Sequence, residues 1–114
     1  MKAFIAVRPG KTPSSFEIEA SLPFFLTGEE KGVTAFTPLL DFSTCGTDRK
    51  DAEDMFKKGV IAFLEELIAM GTLDEVLREH GWRKTHKPTK FDRWIPPEFI
   101  FQKQRFKGAV AAPA

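Results

Sequence analysis

The chain has no tyrosine, one cysteine and two histidines among its 114 residues. Each shortage closes off a class of chemistry. Cys45 has no second cysteine to pair with, so an intramolecular disulfide is excluded and a reducing, cytoplasmic setting is expected. Zinc sites need clustered ligands, and His80 and His86 stand six apart in a spacing that no zinc motif uses. The glycines never fall into the patterns that cradle phosphates. The apolar run at 3–7 is five residues long, too short for a signal-peptide core. No segment approaches the ~20 apolar residues of a membrane span, so no membrane partner is expected. Cys45 lies next to Gly46 without a histidine nearby in sequence, the setting of a small buried thiol. These absences predict no catalytic residue, no cofactor and no metal.

What is present points to packing and association. Twelve Phe and two Trp supply the aromatic surface. Phenylalanine brings a large apolar area and no hydroxyl, which suits dry cores and protein interfaces. The net charge of +1 conceals a split. Residues 1–81 hold 9 Lys/Arg and 14 Asp/Glu, a balance of −5, while residues 82–114 hold 8 against 2, a balance of +6. Such a split serves either a tail that folds back on its own acidic body or a basic patch for an acidic partner. Within it, the run from Trp82 to Trp94 mixes cations with aromatics as nucleic-acid surfaces do, without a recognisable nucleic-acid fingerprint.

Along the chain, residues 2–8 read as a short strand stopped by Pro9-Gly10. Phe16, Ile18, Ala20 and Leu22 alternate with Glu17, Glu19 and Ser21, the pattern of a half-buried strand. Pro23 implies an edge or bulge, and Phe24-Phe25-Leu26 continues the extended run. The polar 27–32 segment reads as a hairpin loop, followed by strands at 33–37 and 39–45 in an antiparallel meander. Asp41 then stands mid-strand between Leu40 and Phe42, which share a face, so it points to solvent. A catalytic carboxylate there would need a converging second acid.

Asp48 is a good N-cap and Asp51 suits the first turn of a helix. Ala52, Met55, Phe56, Gly59, Val60, Phe63, Leu64, Leu67 and Ile68 recur at helical spacing, predicting one helix over 48–70 with Gly59 against the sheet. Gly71 supplies a left-handed C-cap. Thr72 and Glu75 form a capping box for a second, short helix that stops at Gly81. Residues 83–97 read as a basic connector, 98–106 as a last strand, and 108–114 as a disordered tail. The whole is an α+β fold, a single domain over 1–107 with its core at 16–82. One small antiparallel sheet in β-β-β-α-α-β order carries the long helix on one face.

The residues 22–82 resemble the N-terminal domain of HicB-type antitoxins. The resemblance rests on Pro23-Phe24-Phe25, Gly32, Pro38-Leu39, Gly46-Thr47-Asp48 with Asp51-Ala52, and Gly71-Thr72-Leu73-Asp74-Glu75-Val76-Leu77 ending in Gly81-Trp82. It implies a reduced ribonuclease-H-like fold without a nuclease centre, and a protein that neutralises a small mRNA-cleaving toxin of the HicA type. Many members add a DNA-binding domain; none is evident after Trp82, so DNA binding is not expected. The acidic residues Glu29, Glu30, Glu53 and Asp54 are the candidate contacts with a basic toxin. A homodimer or higher oligomer is also expected, paired through the phenylalanine-rich 98–106 segment. The alternatives are an orphan dimerisation module and a ribonuclease-H-like, RNA-contacting protein using Asp41 and the basic tail.

Overall fold

Asp48 starts the element around which the rest is arranged. Its backbone is extended (φ −145°, ψ −179°), and its carboxylate accepts the backbone N–H of Asp51 at 2.8 Å. Asp51 reaches back to accept the backbone N–H of Thr47 at 2.9 Å. One donor that the helix start leaves unpaired, the Asp51 N–H, is thereby satisfied, the Thr47 N–H ahead of the cap is tied to the first turn, and two carboxylates sit at the positive end. Helix α1 then runs Arg49–Met70. Gly71 closes it with φ 71°, its N–H reaching the Ile68 carbonyl at 3.1 Å while Thr72 N–H reaches Leu67 at 3.0 Å.

The computed structural model describes residues 3–29, 32–85, 92–98, 105 and 107–111. Five strands precede the helix: β1 Phe4–Pro9, β2 Phe16–Ser21, β3 Phe25–Glu29, β4 Gly32–Thr37 and β5 Phe42–Gly46. Helix α2, Leu73–Glu79, and two short strands, β6 Arg83–Lys84 and β7 Asp92–Ile95, follow it. All strand pairings are antiparallel. The fold is α+β, as expected, but the strands form two sheets in place of one: β3-β4-β5, and β2-β1-β7-β6.

The break falls at residues 22–24, where the sequence suggests one continuous extended run. Pro23 lacks the N–H that a ladder needs, so β2 ends at Ser21 and Phe25 opens a strand in the other sheet. The connector 83–97 is likewise not irregular throughout. Its β7 pairs with β1, setting Ile5 opposite Trp94, and β6 pairs with β7. Residues 99–104 and 106 of the expected last strand lie outside the described residues, and so do 112–114 of the expected tail.

Helix α1 packs on β4 and β5. Ala52, Phe56, Val60, Leu64 and Leu67 form its buried stripe. Phe63, expected in that stripe, is only half-buried; its ring stacks on Phe42 with centroids 5.5 Å apart. Gly59 permits the close approach, because a Cβ there would stand 2.9 Å from Phe42 Cζ and 3.2 Å from Thr44 Cγ2. A single core joins the α1 stripe to Ile5, Ala35, Leu39, Leu40, Leu73, Leu77, Trp82 and Trp94. Trp82 Nε1 donates to the Leu39 carbonyl at 2.8 Å, tying the end of α2 to the turn between β4 and β5.

Two local expectations are corrected. Residues 38–41 form that turn, so the third strand begins at Phe42 and Leu39 and Leu40 are both buried in the turn. Thr72 makes no side-chain cap for α2, and its Oγ1 is buried without a hydrogen-bond partner among the described residues.

Candidate functional site

Glu53, Asp54 and the backbone of Glu29 lie at one end of the β3-β4-β5 sheet. The register sets Glu29 opposite Gly32 and Val33 opposite Gly46. Beyond Gly46, β5 leads within three residues into the N-terminus of α1. The backbone of Glu29 thus lies at the same end as Asp48, Asp51, Glu53 and Asp54. A shallow groove of about 460 Å³ marks this end, lined among others by Thr27, Thr34, Cys45, Thr47 and Asp51.

The four acids are not equivalent. Glu53 is half-buried and accepts from Arg49 Nε at 3.4 Å, one turn back on the helix. Asp54 is exposed. Glu30 lies outside the described residues. Asp48 and Asp51, which the sequence marks as caps, spend their carboxylates on backbone donors and add negative charge to the same end.

Asp41 is displaced from its expected place. It sits in the β4–β5 turn with φ 49°, exposed, outside any strand. Aspartate tolerates this left-handed backbone better than most residues, which accounts for an acid between two apolar neighbours. Among the described residues, no three of His, Cys, Asp and Glu converge as metal ligands would. Cys45 is exposed, against the expectation of a buried thiol, and its Sγ lies 3.6 Å from Thr34 Oγ1. His80 closes α2 and its Nδ1 donates to the Val76 carbonyl at 2.9 Å, a structural role at a helix end. His86 lies outside the described residues.

The opposite, basic end is built around tryptophans that the sequence suggests as a nucleic-acid platform. The structure turns both inward: Trp82 is 2% exposed and Trp94 is 0% exposed. They are core, with cations laid over one of them. Arg78 and Lys84 lie 5.6 and 5.7 Å from the Trp94 ring centroid. Lys84 Nζ also sits 3.4 Å from Asp74 and 3.2 Å from Asp92. Partial burial disfavours its ammonium, but the hydrogen bond it donates to Asp92 and the charges of Asp74 and Asp92 outweigh this and hold the pKa above its ordinary value of 10.5. A groove of about 690 Å³ opens here between Arg78, Arg83, Thr85 and Ile95.

In comparison with known proteins, the chain matches no protein-family model, no curated protein and no solved structure.

Proposed function

We propose that this protein is a non-enzymatic binding module of the HicB antitoxin kind, which neutralises a small, basic, mRNA-cleaving toxin. The observation that carries the reading is the arrangement of the segment that resembles this family. A three-stranded antiparallel sheet, β3-β4-β5, is followed directly by a long helix packed on one face. A left-handed Gly71 and a short helix ending at Gly81-Trp82 come next. The family's reduced ribonuclease-H-like order is a proposal on the same footing, with the β2-β1-β7-β6 sheet as an addition to it.

The acidic end supplies the contact surface in this reading. A protein that cleaves RNA must hold a polyanion, so its working surface is basic. An acidic surface covers it and speeds the encounter. Asp54 and Glu53 on α1, with Glu29 and Glu30 at the β3–β4 hairpin, are the residues assigned to this contact.

The test is co-expression of the tagged chain with the product of the adjacent reading frame, followed by capture at low and at high salt. A complex that forms at low salt, weakens at high salt and is lost in Glu53→Lys/Asp54→Lys supports the reading. No complex at low salt, or one indifferent to both changes, overturns it.

A further inference from the structure

Three arginines near the β6 edge have no carboxylate within ion-pair distance among the described residues: Arg78, Arg83 and Arg93. Two of them are laid on aromatic rings. Arg78 lies over Trp94, and Arg93 lies over Phe4 with 4.2 Å to the ring centroid. A guanidinium held over a ring still has N–H groups for a further partner and loses less freedom when it binds than one on an unsupported side chain.

The sheet register brings two of them, Arg83 and Arg93, onto one face. In an antiparallel pair, opposite residues share a face. Arg83 is opposite Ile95 and Arg93 is opposite Ala6, so Arg83, Ile95, Arg93 and Phe4 all stand on the outer face of β2-β1-β7-β6. Trp94 and Lys84 stand on the inner one. Arg83 and Ile95 also line the groove that Arg78 bounds, so the surface runs from the end of α2 across the sheet edge to the outer face. Lys84 adds little to it, since Asp74 and Asp92 already neutralise it.

We infer that this surface binds the phosphate backbone of single-stranded RNA. The arginine fork matches two phosphate oxygens at once, and the segment 82–114, to which Arg83 and Arg93 belong, carries a formal balance of +6 in sequence. Arginines without ion-pair partners suit a polymer carrying one negative charge per unit. With both tryptophans buried, no indole is left for base stacking, so the contact is electrostatic and independent of sequence. This surface lies apart from the acidic end assigned to the toxin, and the two are tested separately.

The experiment is fluorescence anisotropy of a labelled oligouridylate of about fifteen nucleotides, titrated with the full chain at several KCl concentrations. Three phosphate contacts to a single strand give a slope of log affinity against log salt of about −2. That corresponds to roughly a twentyfold loss of affinity between about 50 and about 200 mM KCl. Each of Arg78→Gln, Arg83→Gln and Arg93→Gln should reduce the slope by about 0.7 for every base sequence tried. The triple lysine variant, Arg78→Lys/Arg83→Lys/Arg93→Lys, should keep the slope, which separates charge from any loss of fold. Absence of binding at low salt, an unchanged slope in the glutamine variants, or loss of the slope in the lysine variant would overturn the proposal. So would displacement of the labelled RNA by polyglutamate at a lower charge concentration than unlabelled oligouridylate requires, which would assign the surface to an acidic protein.

Discussion

Replacing Gly59 by alanine sets two effects of known size against each other. Gly59 lies in the middle of α1, where glycine costs roughly 1 kcal/mol relative to alanine, so propensity alone predicts stabilisation by about that amount. The structure predicts the reverse. The new Cβ would stand 2.9 Å from Phe42 Cζ, 3.2 Å from Phe42 Cε2 and 3.2 Å from Thr44 Cγ2. The Phe42 ring cannot simply swing away, because it is stacked on Phe63 and tilted against Phe56 at 5.9 Å. Thr44 is fixed in β5, paired with β4. Overpacking of this kind costs about 1–3 kcal/mol, which exceeds the helix gain. Gly59→Ala should therefore destabilise the protein by about 1 kcal/mol in urea denaturation followed by circular dichroism. In a Phe42→Leu background the clash is relieved, and the same change should become neutral or stabilising. That coupling of at least ~0.5 kcal/mol between the two sites would identify the contact. Stabilisation by Gly59→Ala in the wild-type background would refute the packing of α1 on β5 described above.

The two caps should behave differently. Asp48→Ala should cost about 1 kcal/mol, whereas Thr72→Ala should cost well under 0.5 kcal/mol, on the order of an ordinary surface substitution, because Thr72 Oγ1 has no partner among the described residues to lose. Equal losses in a denaturation series would contradict this. Leu64→Ala should cost about 2–5 kcal/mol as a full core truncation, and Phe63→Ala less than the ~3–5 kcal/mol of a buried phenylalanine, its ring being half-exposed; the reverse order would misplace the helix face. The Lys84 pKa is raised in the fold, so its stabilising contribution is complete at neutral pH and is lost as pH rises past 10.5 through the folded value. Stability curves of the wild type and Lys84→Met should converge in that alkaline range, and curves that stay parallel would contradict the arrangement.

The parts of this fold that were legible in the sequence are those decided by neighbours along the chain. Helix α1 announces itself through a 3.6-residue stripe, an aspartate cap and a glycine stop, all within one local segment. The β3–β4 hairpin is equally local. The division into two sheets was not legible, because 22–26 is apolar and extended whether or not Pro23 breaks the ladder. Nor was the pairing of β1 with β7, in which Ile5 meets Trp94 across most of the chain. The short β6 and β7 strands hide in a basic, proline-bearing stretch whose strand character comes from the pairing itself. Leu39 and Leu40 mimic a strand start, although a turn with Asp41 in the left-handed region buries both.

The sites divide along the same line. Composition located the acidic body and the basic tail, but only the register places Glu29 at the same end as the α1 acids. Nothing in the sequence marks which individual arginines lie over rings. Alternation of cations with aromatics in 82–94 suggests a platform of exposed rings. In the structure the rings are the support, and the cations laid over them form the surface.

An RNA-cleavage assay tests the proposed function most directly. The product of the adjacent reading frame is supplied with a labelled mRNA, and the purified chain is titrated in. The chain alone should cleave nothing, and it should abolish the partner's cleavage in a saturable, stoichiometric manner, with Glu53→Lys/Asp54→Lys failing to do so. Cleavage by the chain alone, or partner activity that persists under excess chain, would contradict the proposed function.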